Sequence, residues 1–415
     1  MLKRVPRLAI WFLGFLLFLA VFRDVLANGR PLYCRIGGEV YFPGLRTIFV
    51  SQNKPYSATA LRQIQMTTNQ FEAWKNLDLY DEPPIFALIP FSPGEFPTVS
   101  NLKFAKPGVQ HPGMATRFRH WLGTDSDGRD VAATLVSGAR VALLTGSLAM
   151  FVALFFGLSL GMLAGFFGDD QVHIKITTLI SSLLGLLVAW FYAVTTRRYE
   201  LEQATDTTEL WISIGLFVSI VLFFNRVGAW IGKSKMMSLS LKLPLDLMIM
   251  RVAELFSSIP RLILIIVLSV ALLGVSGESI WLMIVLIGAL GWTSVAKFTR
   301  AELLKIRTMD YVTAARGLGM SDWRVLLRHA LPNAMRPVYI VFAFGAANAV
   351  MLEAYLSFLG FGGLSMRGIS WGSLFINENS TANPMETWWI TVFAGIVIFF
   401  TILALNSIGE ALSDK

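Results

Sequence analysis

Residues Val141 to Gly168 read VALLTGSLAMFVALFFGLSLGMLAGFFG. This stretch contains no Asp, Glu, Lys or Arg over its whole length. About 20 consecutive apolar residues are enough for an α-helix to cross the hydrocarbon core of a bilayer. The stretch therefore predicts a membrane-spanning helix.

The composition of the whole chain agrees with this prediction. Of 415 residues, 55% are hydrophobic and 15% are charged, whereas soluble domains carry about 25% charged residues. These values exclude a disordered chain and argue against a soluble enzyme. The net charge of +8 could indicate nucleic acid, but the basic residues are spread between apolar segments, as in cytoplasmic loops. We expect an all-α polytopic membrane protein with membrane lipid, and no nucleic acid, as a partner.

Cysteine and histidine exclude several kinds of site. Cys34 is the one cysteine, and the four histidines are scattered along the chain. An intramolecular disulfide is therefore impossible, and the histidine spacing predicts no metal site. No nucleophile, base or metal constellation is visible, so the expected protein is not an enzyme.

Runs without charged residues predict eight spans. One run is divided only by Glu353, and its second half is rich in glycine, so we interpret it as one helix followed by a re-entrant or exit segment. The runs are 8–22, 141–168, 176–196, 210–225, 262–277, 279–296, 337–366 and 387–409.

Charge asymmetry predicts the orientation. Lys3, Arg4 and Arg7 precede the first run, which places the N-terminus in the cytoplasm and residues 27–120 outside. The first run could instead be a cleaved signal peptide, and either interpretation exports the next segment. Residues 297–337 carry eight Lys or Arg and three acidic residues and belong in the cytoplasm. An even number of crossings returns the C-terminus to the cytoplasm.

The expected organisation has five parts. The first and second are a transmembrane helix and an extracytoplasmic segment rich in proline, and the third is a helix that leads into a span. The fourth is an additional hairpin of two spans, and the fifth is a core that contains the basic loop 297–337. The parts are residues 1–26, 27–120, 121–170, 171–245 and 246–415.

The basic loop has a readable local pattern. Residues 310–319 (DYVTAARGLG) contain good helix formers, and Gly319 can adopt positive φ just beyond their end. Ser321 is a suitable N-cap for a second helix. Pro332 is expected to end that helix.

This loop resembles the signature of the inner-membrane permeases of binding-protein-dependent ABC importers. That signature is Glu-Ala-Ala, three residues, Gly, nine residues, Ile, one residue, Leu-Pro. Two residues depart from it, since Thr replaces Glu and His replaces Ile. The residues at the signature positions, including these two departures, are Thr313, Ala314, Ala315, Gly319, His329, Leu331 and Pro332.

Further motifs are similar to the dipeptide and oligopeptide branch of that family, in which His329 also fits an Arg-His-x-Leu-Pro-Asn run. The opening residues 26–43 are similar to the subgroup that imports microcin C and larger peptides. The motifs are Trp121–Asp125, Gly128–Val131, Gly138–Arg140, Ser258–Pro260 and Leu356–Gly362.

The resemblance implies a type I ABC importer permease fold of six family-type spans plus the inserted hairpin 171–245. It implies a multi-pass inner-membrane subunit that pairs with a second permease, two ATP-binding subunits and an extracytoplasmic solute-binding protein to import peptides. ATP and Mg²⁺ would be bound by the partner ATPases. Residues 228–234 (GAWIGKS) have three residues between the glycines where a phosphate loop needs four, so no cofactor is expected in this chain.

Other interpretations remain open from the residues alone. Glu353 could line the translocation path, or it could serve packing or an inter-subunit hydrogen bond. A secondary transporter or channel without an ATPase partner, or a membrane scaffold or receptor subunit, is the alternative function. Trp388 and Trp389 are expected to form an interfacial aromatic belt.

Overall fold

The computed structural model confirms the helical membrane architecture. It describes residues 6–45, 70–96, 102–169, 173–203, 208–232, 240–276, 280–361, 369–375 and 385–413. Within these ranges, seven helices are long and apolar enough to cross a membrane, or eight if one bent helix pair counts as a single span. The last part of the glycine-rich segment expected after Glu353, residues 362–366, lies outside the described residues.

The first half of the chain contains six described helices. One π-helical turn extends α3 at Leu163–Phe167, and another extends α4 at Phe191–Thr195. The helices are α1 (Arg7–Leu26), α2 (Gln70–Trp74), α3 (Val131–Met162), α4 (Ile176–Trp190), α5 (Arg198–Gln203) and α6 (Thr208–Ile231).

The described part of the second half contains seven. A π-helical turn at Leu326–Ala330 joins α11 to α12, and a 3₁₀ turn at Gly372–Phe375 precedes the last helix. The helices are α7 (Leu245–Ser258), α8 (Arg261–Ser276), α9 (Ile280–Ile306), α10 (Asp310–Gly317), α11 (Asp322–Val325), α12 (Leu331–Phe358) and α13 (Trp388–Ser413).

The described strands form three short antiparallel pairs. Cys34 is opposite Tyr41 in the first pair, Val109 is opposite His120 in the second, and His173 is opposite Lys242 in the third. The strands are β1 (Cys34–Ile36), β2 (Glu39–Tyr41), β3 (Val109–Gln110), β4 (Arg119–His120), β5 (His173–Lys175) and β6 (Ser240–Lys242).

The chain divides into two compact units, of which the first comprises Met1–Gly161 and Glu254–Lys415. Its centre is formed by α3, α9 and α12, which approach closely at small residues. A Cβ on Gly288 of α9 would lie 2.5 Å from the carbonyl oxygen of Ala149 on α3. Such approach supplies the van der Waals contact and tight packing that hold membrane helices together.

The second unit is Met162–Ala253. Its helices α4 and α6 pack as an antiparallel hairpin, in which the Ser181 hydroxyl donates to the Phe224 carbonyl at 2.6 Å. Lys175 Nζ donates to the Gly232 carbonyl at 2.6 Å. Large apolar side chains such as Leu187 and Trp190 are exposed on its surface, as suits a surface that faces lipid. This unit contains residues 171–245, whose status as an insertion stays a prediction.

The segment before α3 has a packed core of its own. The His120 ring stacks on Phe91 with centroids 4.1 Å apart, and its Nδ1 lies 2.9 Å from Asp130 Oδ2. The other oxygen of Asp130 accepts the Ala133 N–H at 2.7 Å in the first turn of α3. Lys75 and Glu95 form a buried ion pair beside it. The polar cluster therefore ties this segment to the start of a membrane helix.

Two indoles connect the end of the chain to its middle. Trp371 Nε1 donates to the Leu135 carbonyl at 2.8 Å, and Trp389 Nε1 donates to the Thr124 carbonyl at 3.4 Å. The expectation of an interfacial belt is therefore wrong for Trp389, which is 2% exposed, whereas Trp388 is 49% exposed. Burial of an indole needs a hydrogen-bond acceptor, and the remote Thr124 carbonyl was not visible in the sequence.

The expectation that Pro332 ends a helix is also wrong. α12 begins at Leu331, so Pro332 lies in its first turn, and the helical run from Asp322 continues to Phe358. Proline contributes no N–H to the backbone hydrogen-bond ladder, so the ladder must change at this position. The π-helical turn immediately before it marks where the regular hydrogen-bond ladder changes.

The span expected at 262–277 is part of a broken element. α7 and the Arg261–Leu272 part of α8 pass the membrane test together but are bent by 86° at Ile259 and Pro260. Proline removes a backbone donor and disfavours helix in the residue before it. The residues on either side therefore form two helices instead of one straight span.

The Trp371 contact predicts a steric test. A Cβ on Gly138 of α3 would lie 2.5 Å from Trp371 Nε1, and Trp371 is 1% exposed. We expect Gly138→Ala to lower the free energy of unfolding by about 1–3 kcal/mol, because overpacking forces neighbours to shift. Thermal unfolding of the detergent-solubilised chain measures this.

The matched control is Gly395→Ala in α13, where a Cβ would meet nothing within 4 Å. That change should leave stability unchanged or raise it by about 0.5–1 kcal/mol. Equal unfolding temperatures for the two variants would contradict the close packing of Trp371 on Gly138.

Candidate functional site

The residues of the predicted signature lie on a surface-exposed segment, residues 307–333, which we call the coupling segment after the role that the resemblance predicts for it. It consists of α10, a turn, α11 and the start of α12. Val312 and Ala315 are buried on one side of α10, and Val325 and Leu326 are buried beyond the turn. The segment therefore has one side shielded from solvent and one side exposed to it.

The turn between α10 and α11 depends on Gly319, whose φ is +81°. The N–H of Gly319 donates to the Arg316 carbonyl at 2.9 Å, and the N–H of Met320 donates to the Ala315 carbonyl at 3.3 Å. Backbone N–H groups of residues just beyond α10 thus form hydrogen bonds with the last carbonyl groups of this helix. Arg316 Nε also donates to Asp322 Oδ1 at 3.0 Å. An ion pair therefore spans the turn that the glycine makes possible.

Large apolar side chains project from this turn. Leu318 is 85% exposed, and Trp323 and Leu327 are each 53% exposed. They stand among the basic residues that give residues 297–337 eight Lys or Arg against three acids. Exposed apolar side chains surrounded by charges are typical of surfaces that bind another protein.

The structure places the predicted signature residues on different sides of this segment. Thr313 and Ala314 are exposed, and the Thr313 hydroxyl donates to the Asp310 carbonyl at 2.8 Å. Ala315 is buried. His329 and Leu331 are half-buried, whereas Gly319 and Pro332 are exposed.

One side chain connects the two ends of the coupling segment. The Asn333 amide donates to the His329 carbonyl at 2.8 Å and to the Tyr311 hydroxyl at 3.3 Å. The start of α10 is thereby joined to the π-helical turn that leads into α12. The segment is held by its own polar contacts as well as by its buried face.

Glu353 lies deep in the first unit, on α12. It is 2% exposed, and its Oε1 accepts hydrogen bonds from Ser357 at 2.7 Å and from Ser370 at 2.6 Å. Its neighbours Ala349 and Leu352 line a cavity, whereas Glu353 is not among the lining residues. Its role in the translocation path stays a prediction.

That cavity has a volume of about 580 Å³ and lies among α3, α9 and α12. Its wall is mainly apolar, with polar groups from Arg261, Ser294 and Asn348. Pro337 also lines it, about one helical turn along α12 from the end of the coupling segment. A cavity of this size has room for a small organic molecule or a few side chains.

Sequence reasoning missed the exposed apolar residues and the cavity. Leu318 lies between Gly317 and Gly319 in a turn. Turn positions are normally occupied by polar residues, so this leucine was the sequence signal for an exposed apolar side chain. The cavity had no local signal because its wall combines residues of α3, α8, α9, α12 and α13, which are far apart in sequence. Among the described residues, no group of three or more His, Cys, Asp or Glu could hold a metal ion.

Comparison with known proteins finds one matching family and several similar transport proteins. Residues 225–415 match the family described as binding-protein-dependent transport system inner membrane component. The inner membrane ABC transporter permease protein YejE of Escherichia coli (strain K12) is 27% identical over 411 residues, which are 98% of this chain and 91% of that protein.

Two Brucella proteins named as peptide permeases are also similar. The one from Brucella suis biovar 1 (strain 1330) is 27% identical over 72% of this chain and 73% of its own length. The one from Brucella ovis is 33% identical over 49% of this chain and 65% of its own length.

The matched residues 225–415 include the coupling segment, α12 and the cavity wall that α9 and α12 contribute. With its apolar helices, the chain is a multi-pass inner membrane protein that works with partner ABC subunits and a substrate-binding protein. These matches support an ABC transporter permease with the type I permease fold, which is a transport subunit rather than an enzyme.

Proposed function

We propose that this chain is one of two permease subunits of an ATP-driven importer, and that its coupling segment docks on a separate ATPase subunit. The observation that carries the proposal is the exposed Leu318 and Trp323 pair on a segment of net positive charge, fixed to the core by Val312 and Val325. Apolar residues at the centre and charges at the rim suit a groove with an acidic edge.

Continuity of the helix supports coupling to transport. The helical run from Asp322 to Phe358 includes Trp323 at one end and the cavity-lining residues Pro337 and Asn348 further along. A displacement of the docked end is therefore transmitted along a single element to the cavity wall. Alternating access driven by ATPase closure and opening fits this connection, with ATP and Mg²⁺ held by the partner subunits.

Peptides are the proposed substrates. Two similar Brucella proteins are named as peptide permeases, and the Arg328–Asn333 run fits that branch of the family. The largely apolar cavity, with Asn348 and Ser294 as polar groups, suits a path that must pass varied side chains. The complete importer would add a second permease, two ATPases and a solute-binding protein.

The proposed orientation has both termini in the cytoplasm. Eight basic residues against three acids in residues 297–337 support a cytoplasmic coupling segment. With this orientation, residues 27–120 lie outside, where a solute-binding protein docks. The cytoplasmic position of the coupling segment and the external position of residues 27–120 thus depend on the same topology.

Substitution of Gly319 tests the coupling role. Valine at φ +81° costs about 1–2 kcal/mol in backbone energy, and the turn then loses its docking geometry. We expect Gly319→Val to reduce ATP-dependent peptide uptake by about 5–30-fold at equal membrane abundance. Uptake into cells or proteoliposomes, normalised to the amount of assembled complex, measures this.

Gly317→Val is the matched control, because a Cβ at Gly317 also meets nothing within 4 Å but its φ is not positive. It should retain most of the uptake. Equal losses in both variants, or none at Gly319, would refute a coupling role for the turn.

Cysteine labelling tests the orientation. Cys34 is fully buried, and burial raises the pKa of its thiol to about 11, so it reacts slowly at neutral pH. In a Cys34→Ser background, Val40→Cys places a thiol at a 48% exposed position and Leu318→Cys places one at an 85% exposed position.

An impermeant maleimide should label residue 40 in spheroplasts and residue 318 only in inverted vesicles. The opposite pattern would overturn the proposed orientation. Both variants must accumulate in the membrane as the unsubstituted chain does.

A further inference from the structure

A second cleft lies at the start of the last membrane helix, away from the coupling segment. It has a volume of about 1010 Å³ and is formed by residues 103, 104, 106, 107, 121 and 122 together with residues 385–389 and Phe393. Phe104 and Leu122 pack against the buried Trp389 and Ile390 of α13. The cleft is therefore part of one packed unit and not a gap between loose segments.

We propose that this cleft binds the headgroup of an anionic phospholipid. Lys103 and Lys106 line it and are exposed to solvent. Glu386 is the one acidic residue among the described residues of its lining. Two ammonium groups against one carboxylate leave a positive charge, which complements a phosphate. Lysine and arginine side chains near a membrane surface attract anionic lipid headgroups by about 1 kcal/mol each.

The aromatic wall of the cleft fits a lipid at the bilayer interface. Trp121 is 59% exposed and Trp388 is 49% exposed, and Trp388 is the first residue of α13, the helix that enters the membrane. Exposed tryptophans concentrate at the headgroup level because the ring is apolar and its N–H is polar. Phe393, further into α13, lies 6.1 Å from Trp388 between ring centroids and continues the apolar wall toward the acyl chains.

The backbone between the lysines is held in an uncommon conformation. Phe104 has φ +53° and is the one residue other than glycine with positive φ in the part of the chain that the structure describes. Its N–H donates to the Asp125 carbonyl at 3.0 Å, and the neighbouring Ala105 N–H donates to the Thr124 hydroxyl at 2.8 Å. These bonds fix the backbone that presents Lys103 and Lys106 at the mouth of the cleft.

The test compares lipid binding to the full-length chain by native mass spectrometry, with phosphatidylglycerol and phosphatidylcholine as probes. Lys103→Gln/Lys106→Gln should weaken phosphatidylglycerol binding by roughly thirtyfold and leave phosphatidylcholine binding unchanged. Lys103→Arg/Lys106→Arg should retain it. Undiminished phosphatidylglycerol binding in the glutamine variant, or equal binding of both lipids to the unsubstituted chain, would overturn the proposal.

The matched control is Arg226→Gln/Lys305→Gln, which removes two positive charges near the ends of other membrane helices, α6 and α9. It should bind phosphatidylglycerol as the unsubstituted chain does. A loss equal to that of the cleft variant would mean that charge in general, and not this cleft, attracts the lipid, and would refute the site.

An acidic protein surface is the other partner that the two lysines would fit. Acylation of the lysine amines, followed by peptide mapping of Lys103 and Lys106, distinguishes a lipid headgroup from an acidic protein surface. Protection by phosphatidylglycerol nanodiscs and not by phosphatidylcholine nanodiscs is expected. Protection only on addition of the solute-binding protein would assign the cleft to a protein interface and overturn the lipid proposal.

Discussion

Close backbone approach of α3, α9 and α12 is the interaction on which the rest of the structure depends. In lipid, the hydrophobic effect contributes little to the association of apolar helices. Van der Waals contact at small residues must therefore hold the helices together. Gly288 against the Ala149 carbonyl and Gly161 against Thr299 join α3 to α9, and Gly146 against the Ala346 carbonyl joins α3 to α12. Larger side chains at these positions would separate the helices, and the cavity that they surround would lose its shape.

The functional elements extend from this packed centre in two directions. Toward one end, α12 continues back through a π-helical turn into the coupling segment, whose buried Val325 and Leu326 keep it aligned with the core. Toward the other end, Trp371 and Trp389 bind carbonyls on or just before α3. The coupling segment, where docking is proposed, and the packed opposite end are thus joined through the same three helices.

The membrane helices could be predicted from the sequence because length and lack of charge are local properties, and the coupling signature was visible as spacing. The prediction failed for Pro332, since a proline that starts one helix looks the same in sequence as a proline that stops another. It failed for Trp389, whose acceptor at Thr124 is remote in the chain. The cavity and the lysine cleft could not be predicted, because each is assembled from segments far apart in sequence.

The central claim is that this chain transports by docking on separate ATP-binding subunits. Affinity purification of the tagged full-length chain in mild detergent, with photo-crosslinking from position 318, tests it most directly. We expect ATP-binding subunits and a second permease to co-purify, and an ATP-binding subunit to be the protein crosslinked at position 318. Purification of the chain free of any ATPase, together with substrate uptake by the chain reconstituted alone, would contradict it.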